Sequence, residues 1–163
     1  MSRHDSENLA GEHRLTDIGQ LVILILFAAV WIPDIFLGYS NFLNQYIPLT
    51  VRLPVGILLL ILSRYMARTG LSIVFGKDAQ TTGVIGKGVF NFVRHPIYLS
   101  EIILYFGLLI MNLSLAAMGV WIVGITFLHY VSRHEERLLL EKYGEEYKKY
   151  MKEVPMWFPR LNR

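Results

Sequence analysis

A chain of 163 residues that is 53% hydrophobic and only 18% charged, with a mean hydropathy of +0.40, is too apolar for a water-soluble globule, in which charged residues make up about 25%. Its lack of cysteine excludes disulfides, thiolate metal sites and cysteine nucleophiles. The net charge of +3 is small and unevenly placed along the chain.

The first stretch, Met1 to Asp17, mixes Arg3, Asp5, Glu7, Glu12, Arg14 and Asp17. Without a basic n-region or a small-residue cleavage site it does not read as a cleaved signal peptide. Leu9, His13 and Leu15 would let it lie along a membrane interface as a short helix, and a frayed end is the alternative. Four apolar stretches follow: Ile18 to Phe36, with the run Leu21 to Ile32 and a close near Pro33-Asp34; Ile47 to Met66, with Arg52 near enough to one end to snorkel along its own stem; Ile97 to Met111; and Leu113 to Val131. Each is near the roughly 20 residues that cross a hydrocarbon core, the third being short. Only Met111-Asn112-Leu113-Ser114 separate the last two, which predicts an antiparallel helical hairpin.

The expected fold is an all-α integral membrane protein of about four transmembrane helices. Residues 1–17 form a leading segment, 18–69 two N-terminal spans, and 70–163 a core with the hairpin and further helices. Lysine and arginine orient it. Arg64, Arg68, Lys77, Lys87 and Arg94 fill one connection, and Arg133, Arg137, Lys142, Lys148, Lys149, Lys152, Arg160 and Arg163 fill the tail, whereas residues 37–46 and the Asn112 turn hold none. The positive-inside rule puts both termini and the 64–94 segment in the cytoplasm.

That segment is punctuated by Gly70, Gly76, Gly83, Gly86 and Gly88, which suits turns and close backbone approach, or a flexible loop. Thr81 to Ile85 and Val89 to Val93 keep apolar and aromatic side chains available for packing. In Arg94-His95-Pro96 the proline suits the first turn of the third span. His95 and Arg94 read either as a helix-start residue and a headgroup anchor, or, with the helix-start N–H groups and the Tyr98 hydroxyl, as a receptor for a carboxylate or phosphate. The fourth span continues as Ser132 to Tyr143. Its charges read as a solvated face, or Glu135 and Glu136 meet the His95 end across the hairpin, where they could pair with Arg94 or bind hydroxyl or ammonium groups. Gly144 breaks the helix and Glu145 to Met151 restarts it, with Tyr143, Tyr147, Tyr150 and Met151 as a packing stripe. Trp157-Phe158 suits an interface.

Gly88 to Tyr98, Glu135-Glu136, Tyr143-Gly-Glu-Glu-Tyr147-Lys-Lys-Tyr150 and Val154-Pro155, in that order, resemble the C-terminal core of the isoprenylcysteine carboxyl methyltransferase family; the related phospholipid N-methyltransferases share much of the pattern. The resemblance runs from about Thr82 to Arg160. It implies methyl transfer from S-adenosylmethionine to a lipophilic or prenylated acceptor, a carboxylate of isoprenylcysteine type first and a phospholipid amine second. The implied cofactor wall is Thr82, Gly83, Val84, Ile85, Phe90, His95, Pro96, Ile97, Tyr98, Glu135 and Glu136. Aromatic faces suit a sulfonium, and carboxylates suit an amino group or ribose hydroxyls. Arg94, with Arg133 as second candidate, would steer a carboxylate acceptor, and no metal is required. Membrane lipids are the expected partners, and nucleic acid is not among them. Glu153 stands where eukaryotic members tend to have a basic residue, and Phe90 where a tyrosine is common. A sterol-reductase-like NADPH enzyme resembles the same C-terminal arrangement and is the runner-up from another class.

Overall fold

The computed structural model describes residues 3–76 and 83–158, with side chains from Thr16 onward. Among these residues the fold is helical throughout: α1 (Arg3–Leu37), α2 (Leu49–Phe75), α3 (Pro96–Asn112), α4 (Leu115–Tyr143) and α5 (Glu145–Glu153), with short 3₁₀ turns at Phe42–Gln45 and Gly88–Asn91 and no strand.

Three helices are long and apolar enough to cross a membrane: Thr16–Leu37 within α1, α2, and α4. The third expected span, α3, has 17 residues, about 25 Å of helix against a hydrocarbon core of about 30 Å. Both of its ends are fixed locally. Pro96 begins it in the first turn, and Leu113 ends it in the left-handed conformation (φ 45°), its N–H donating to the Leu109 carbonyl at 2.6 Å. Ser114 then caps α4 by accepting from Ala117 N at 3.2 Å. The short turn makes α3 and α4 the antiparallel pair that the sequence predicts.

α3 is the inner helix. On one side it meets α2 along a seam of small residues, with Ser63 Oγ donating to the Ser100 carbonyl at 2.7 Å and Gly56 facing Gly107. A Cβ built on Gly56 would lie 2.9 Å from the Gly107 oxygen, so a side chain there would force the two backbones apart. On its other side Tyr105 and Leu109 join Ile23 and Phe27 of α1 and Ala117 of α4 in the buried core, and the Phe27 and Tyr105 rings lie 4.7 Å apart. Trp31 and Trp121 donate to the Leu108 and Ile102 carbonyls, each at 3.0 Å. Leu21, Ile25, Leu58 and Ile61 face outward, as helices in contact with lipid tails require.

Two expectations change at the turn between α1 and α2. α1 does not close at Pro33-Asp34 but runs to Leu37 and stops at Gly38 (φ 66°), whose N–H donates to the Asp34 carbonyl at 3.0 Å. Arg52 does not snorkel. It is buried and turns inward, donating to Asn44 Oδ1, to the Ile47 carbonyl at 2.8 Å and to the Met111 carbonyl at 2.7 Å, which ties the start of α2 to the end of α3. These acceptors replace the water that burial takes from the guanidinium.

Candidate functional site

At the opposite end of the bundle the start of α3 meets the extension of α4. Arg94 Nε donates to Glu136 Oε1 at 2.6 Å, and the two side chains are 9% and 3% exposed. Arg94 Nη1 also donates to the carbonyls of Val154 at 2.5 Å and Met151 at 3.1 Å, while its backbone N–H donates to the Pro155 carbonyl at 3.0 Å. One arginine thus ties the start of α3 to α4 and to the chain after α5. A buried guanidinium demands such saturation, because each missing partner would leave a charge unsolvated.

His95 is buried between two carboxylates, with Nε2 3.4 Å from Glu136 Oε1 and Nδ1 3.6 Å from Glu135 Oε2. Burial alone pulls its pKa down, but hydrogen bonding and attraction from Glu135 and Glu136 outweigh burial and hold it above the ordinary imidazole value. The Tyr98 hydroxyl donates to Glu135 Oε1, and the Tyr98 ring stacks on His95 with centroids 5.8 Å apart. Two buried polar atoms at this end have no partner among the described residues: Glu136 Oε2 and, one helical turn earlier on the same face of α4, Ser132 Oγ. A carboxylate oxygen in this position is costly to leave unmatched and points to a missing donor.

Five of the residues singled out in the sequence, Arg94, His95, Tyr98, Glu135 and Glu136, are therefore brought together. Pro96 is buried beneath them, and Ile97 turns toward Gly70 of α2. Gly83, Val84 and Ile85 run beside α5, where Val84 N donates to Glu146 Oε1 at 3.1 Å. Phe90 is half-buried, and its carbonyl accepts from the Tyr150 hydroxyl at 2.7 Å. The stripe on α5 packs, with Tyr147 buried and its ring 5.7 Å from that of Tyr150. Thr82 lies outside the described residues. Arg133 is exposed, whereas the inward face of α4 is marked by Ser132 and Glu136.

Beside this cluster lies an apolar cavity of about 970 Å³. α2 contributes Leu62, Tyr65 and Met66, α3 contributes Leu99, Ile102, Ile103 and Phe106, α4 contributes Trp121, Ile125 and His129, and Trp157 and Phe158 also line it. Trp157 joins cavity and cluster: its ring is 6.0 Å from His95 and 6.4 Å from His129, and its Nε1 donates to His129 Nδ1 at 3.1 Å. It is half-buried, whereas Phe158 beside it is exposed.

Sequence reasoning missed His129, Ser132 and Glu101, which is half-buried one turn beyond Tyr98 and accepts from the Tyr105 hydroxyl at 3.2 Å. The available signal for His129 and Glu101 was an ionisable side chain inside an apolar helix. No curated protein and no solved structure matches the chain. Residues 49–146 match the family model described as phospholipid methyltransferase, a family of membrane methyltransferases that generally use S-adenosylmethionine. The matched residues run from the first turn of α2 to the first turn of α5 and take in all five clustered side chains and most of the cavity wall. They make up more than half of the sequence, and the chain belongs to the phospholipid methyltransferase family.

Proposed function

We propose that this protein transfers a methyl group from S-adenosylmethionine to an acceptor carried on a lipophilic molecule. The observation that carries the reading is a polar cluster with unmatched acceptor capacity, separated from an apolar cavity of about 970 Å³ by one tryptophan. The residues present fit the cofactor. Glu136 Oε2 and Ser132 Oγ lack partners and suit an ammonium or a ribose hydroxyl, Glu135 offers a second carboxylate, and the Tyr98 and Trp157 rings suit a cation.

When bound, S-adenosylmethionine supplies an electrophilic methyl on a sulfonium. The protein's part is positional. Arg94 fixes α3, α4 and the terminal segment in one arrangement, so the carboxylates that hold the cofactor are set before it binds. The cavity takes the acceptor's apolar chain and excludes water from its reacting end, and orientation supplies most of the acceleration. Arg94 serves here as a positioning residue, since its Nε and Nη1 donors are committed to Glu136 and to main-chain carbonyls.

The first acceptor to consider is a carboxylate of isoprenylcysteine type, which the resemblance of residues 88–98 and 143–155 favours. A phospholipid amine is the second, favoured by the family match and by a cavity lining without lysine or arginine among the described residues. The test is transfer of radiolabelled methyl from S-adenosylmethionine to prenylcysteine analogues and to phosphatidylethanolamine in detergent micelles. Base-labile label on the prenylcysteine supports the first acceptor and base-stable label on the lipid amine the second. Label on neither, nor on an extracted membrane lipid fraction, contradicts the proposal.

A further inference from the structure

Among the described residues the cavity lining contains no lysine, arginine, aspartate or glutamate, and His129 is its one imidazole. Trp157 Nε1 donates to His129 Nδ1 at 3.1 Å. An indole nitrogen only donates, so Nδ1 must be the bare nitrogen and a neutral His129 carries its proton on Nε2. His129 is exposed at the edge of the cavity, so this N–H is available to an occupant. A donor at the edge of an apolar chamber recognises an oxygen on an amphiphile, and an anionic oxygen binds it most strongly. No carboxylate in the lining competes for that donor. The Trp157 ring that sets the tautomer also neighbours His95, which places the donor one ring away from the polar cluster.

Resting on the function proposed above, we propose that His129, oriented by Trp157, grips an anionic oxygen of the acceptor, a carboxylate or a phosphodiester, while the acceptor's apolar chain fills the cavity. His129 is thus a binding and specificity residue.

The test is calorimetric titration of the purified full chain in neutral detergent with two matched pairs. One pair is farnesylthioacetic acid and its carboxamide, and the other is a short-chain phosphatidylglycerol and the corresponding diacylglycerol. At least one anionic member is expected to bind about tenfold or more tightly than its neutral partner, the size of one hydrogen bond to a charged group. The pair that shows the preference identifies the source as carboxylate or phosphodiester. His129→Leu is expected to abolish the preference, His129→Gln to retain part of it through its amide N–H, and Trp157→Phe to reduce it by freeing the tautomer. Equal affinity within both pairs for the wild type overturns the proposal, as does an undiminished preference in His129→Leu. Should the melting midpoint show that His129→Leu is unfolded, an undiminished preference in Trp157→Phe overturns it instead. A wild type that discriminates within a pair but transfers no methyl group would sink the proposed function and leave the anion grip standing.

Discussion

The two ends of the helical bundle each hold a buried carboxylate cluster, and they use it differently. At the end where α1 turns toward α2, Asp34 is fully buried and both its oxygens are taken, Oδ1 by Ser40 N at 2.7 Å and Oδ2 by Ser40 Oγ at 2.8 Å. Ser40 passes the connection on to Ser114 and Ala116 N at the start of α4. What that end leaves unmatched among the described residues is the neutral side-chain amide NH2 of Asn112. At the other end, Glu136 keeps a buried oxygen with no donor, Ser132 keeps a hydroxyl, and an apolar cavity adjoins. Burial of charge alone thus does not mark a functional site in this chain. The proposed site lies where the fold leaves buried charge incompletely matched.

Substitutions should break this contrast in order of size. The largest effect is expected from Glu136→Ala, which leaves Arg94 buried without its carboxylate: a loss of about 3–5 kcal/mol of stability in detergent, together with S-adenosylhomocysteine binding. A melting midpoint within error of the wild type would show that the pair is not a structural tie. Glu135→Ala should separate site from scaffold, weakening S-adenosylhomocysteine by about tenfold or more with a smaller change in melting than Glu136→Ala, because this side chain is partly exposed and meets α3 through the Tyr98 hydroxyl and His95, not through a buried arginine. Asp34→Asn is the converse, costing about 1–2 kcal/mol of stability and leaving affinity for S-adenosylhomocysteine unchanged. A drop in that affinity would mean the two ends are coupled.

The smallest effect is one of pH. His95 has a raised pKa in the folded protein, so its charged form favours folding. That contribution is complete below the ordinary imidazole value of 6.5 and fades as pH rises through the raised folded value. Against His95→Gln, the wild type should lose melting temperature across that window. Parallel profiles would show that Glu135 and Glu136 do not hold the proton on His95.

The meeting of His95 with Glu135 and Glu136 was readable in the sequence because a turn as short as Leu113-Ser114 leaves α3 and α4 no choice but to run antiparallel, which fixes which residues share a level. The packing role of Tyr147 and Tyr150 was readable from helical spacing. Pairing of Arg94 with a carboxylate across the hairpin was among the sequence readings, but its ties to the end of the chain were not, since two of its acceptors are the main-chain carbonyls of Met151 and Val154, which any residue type supplies. The same holds for Arg52, whose inward turn depends on the carbonyls of Ile47 and Met111. The contacts of Trp157 with His129 and His95 were not readable, because an interfacial tryptophan and one folded back onto other rings look identical in a terminal segment. α3 was expected to span, and its length is set by Pro96 and by the left-handed Leu113, a conformation that leucine does not advertise.

The most direct test is calorimetric titration of the purified protein with S-adenosylhomocysteine and, separately, with NADPH, repeated on Glu135→Ala. The account predicts binding of S-adenosylhomocysteine that Glu135→Ala weakens and no binding of NADPH. Binding of NADPH alone, or S-adenosylhomocysteine affinity that Glu135→Ala leaves untouched, would contradict it.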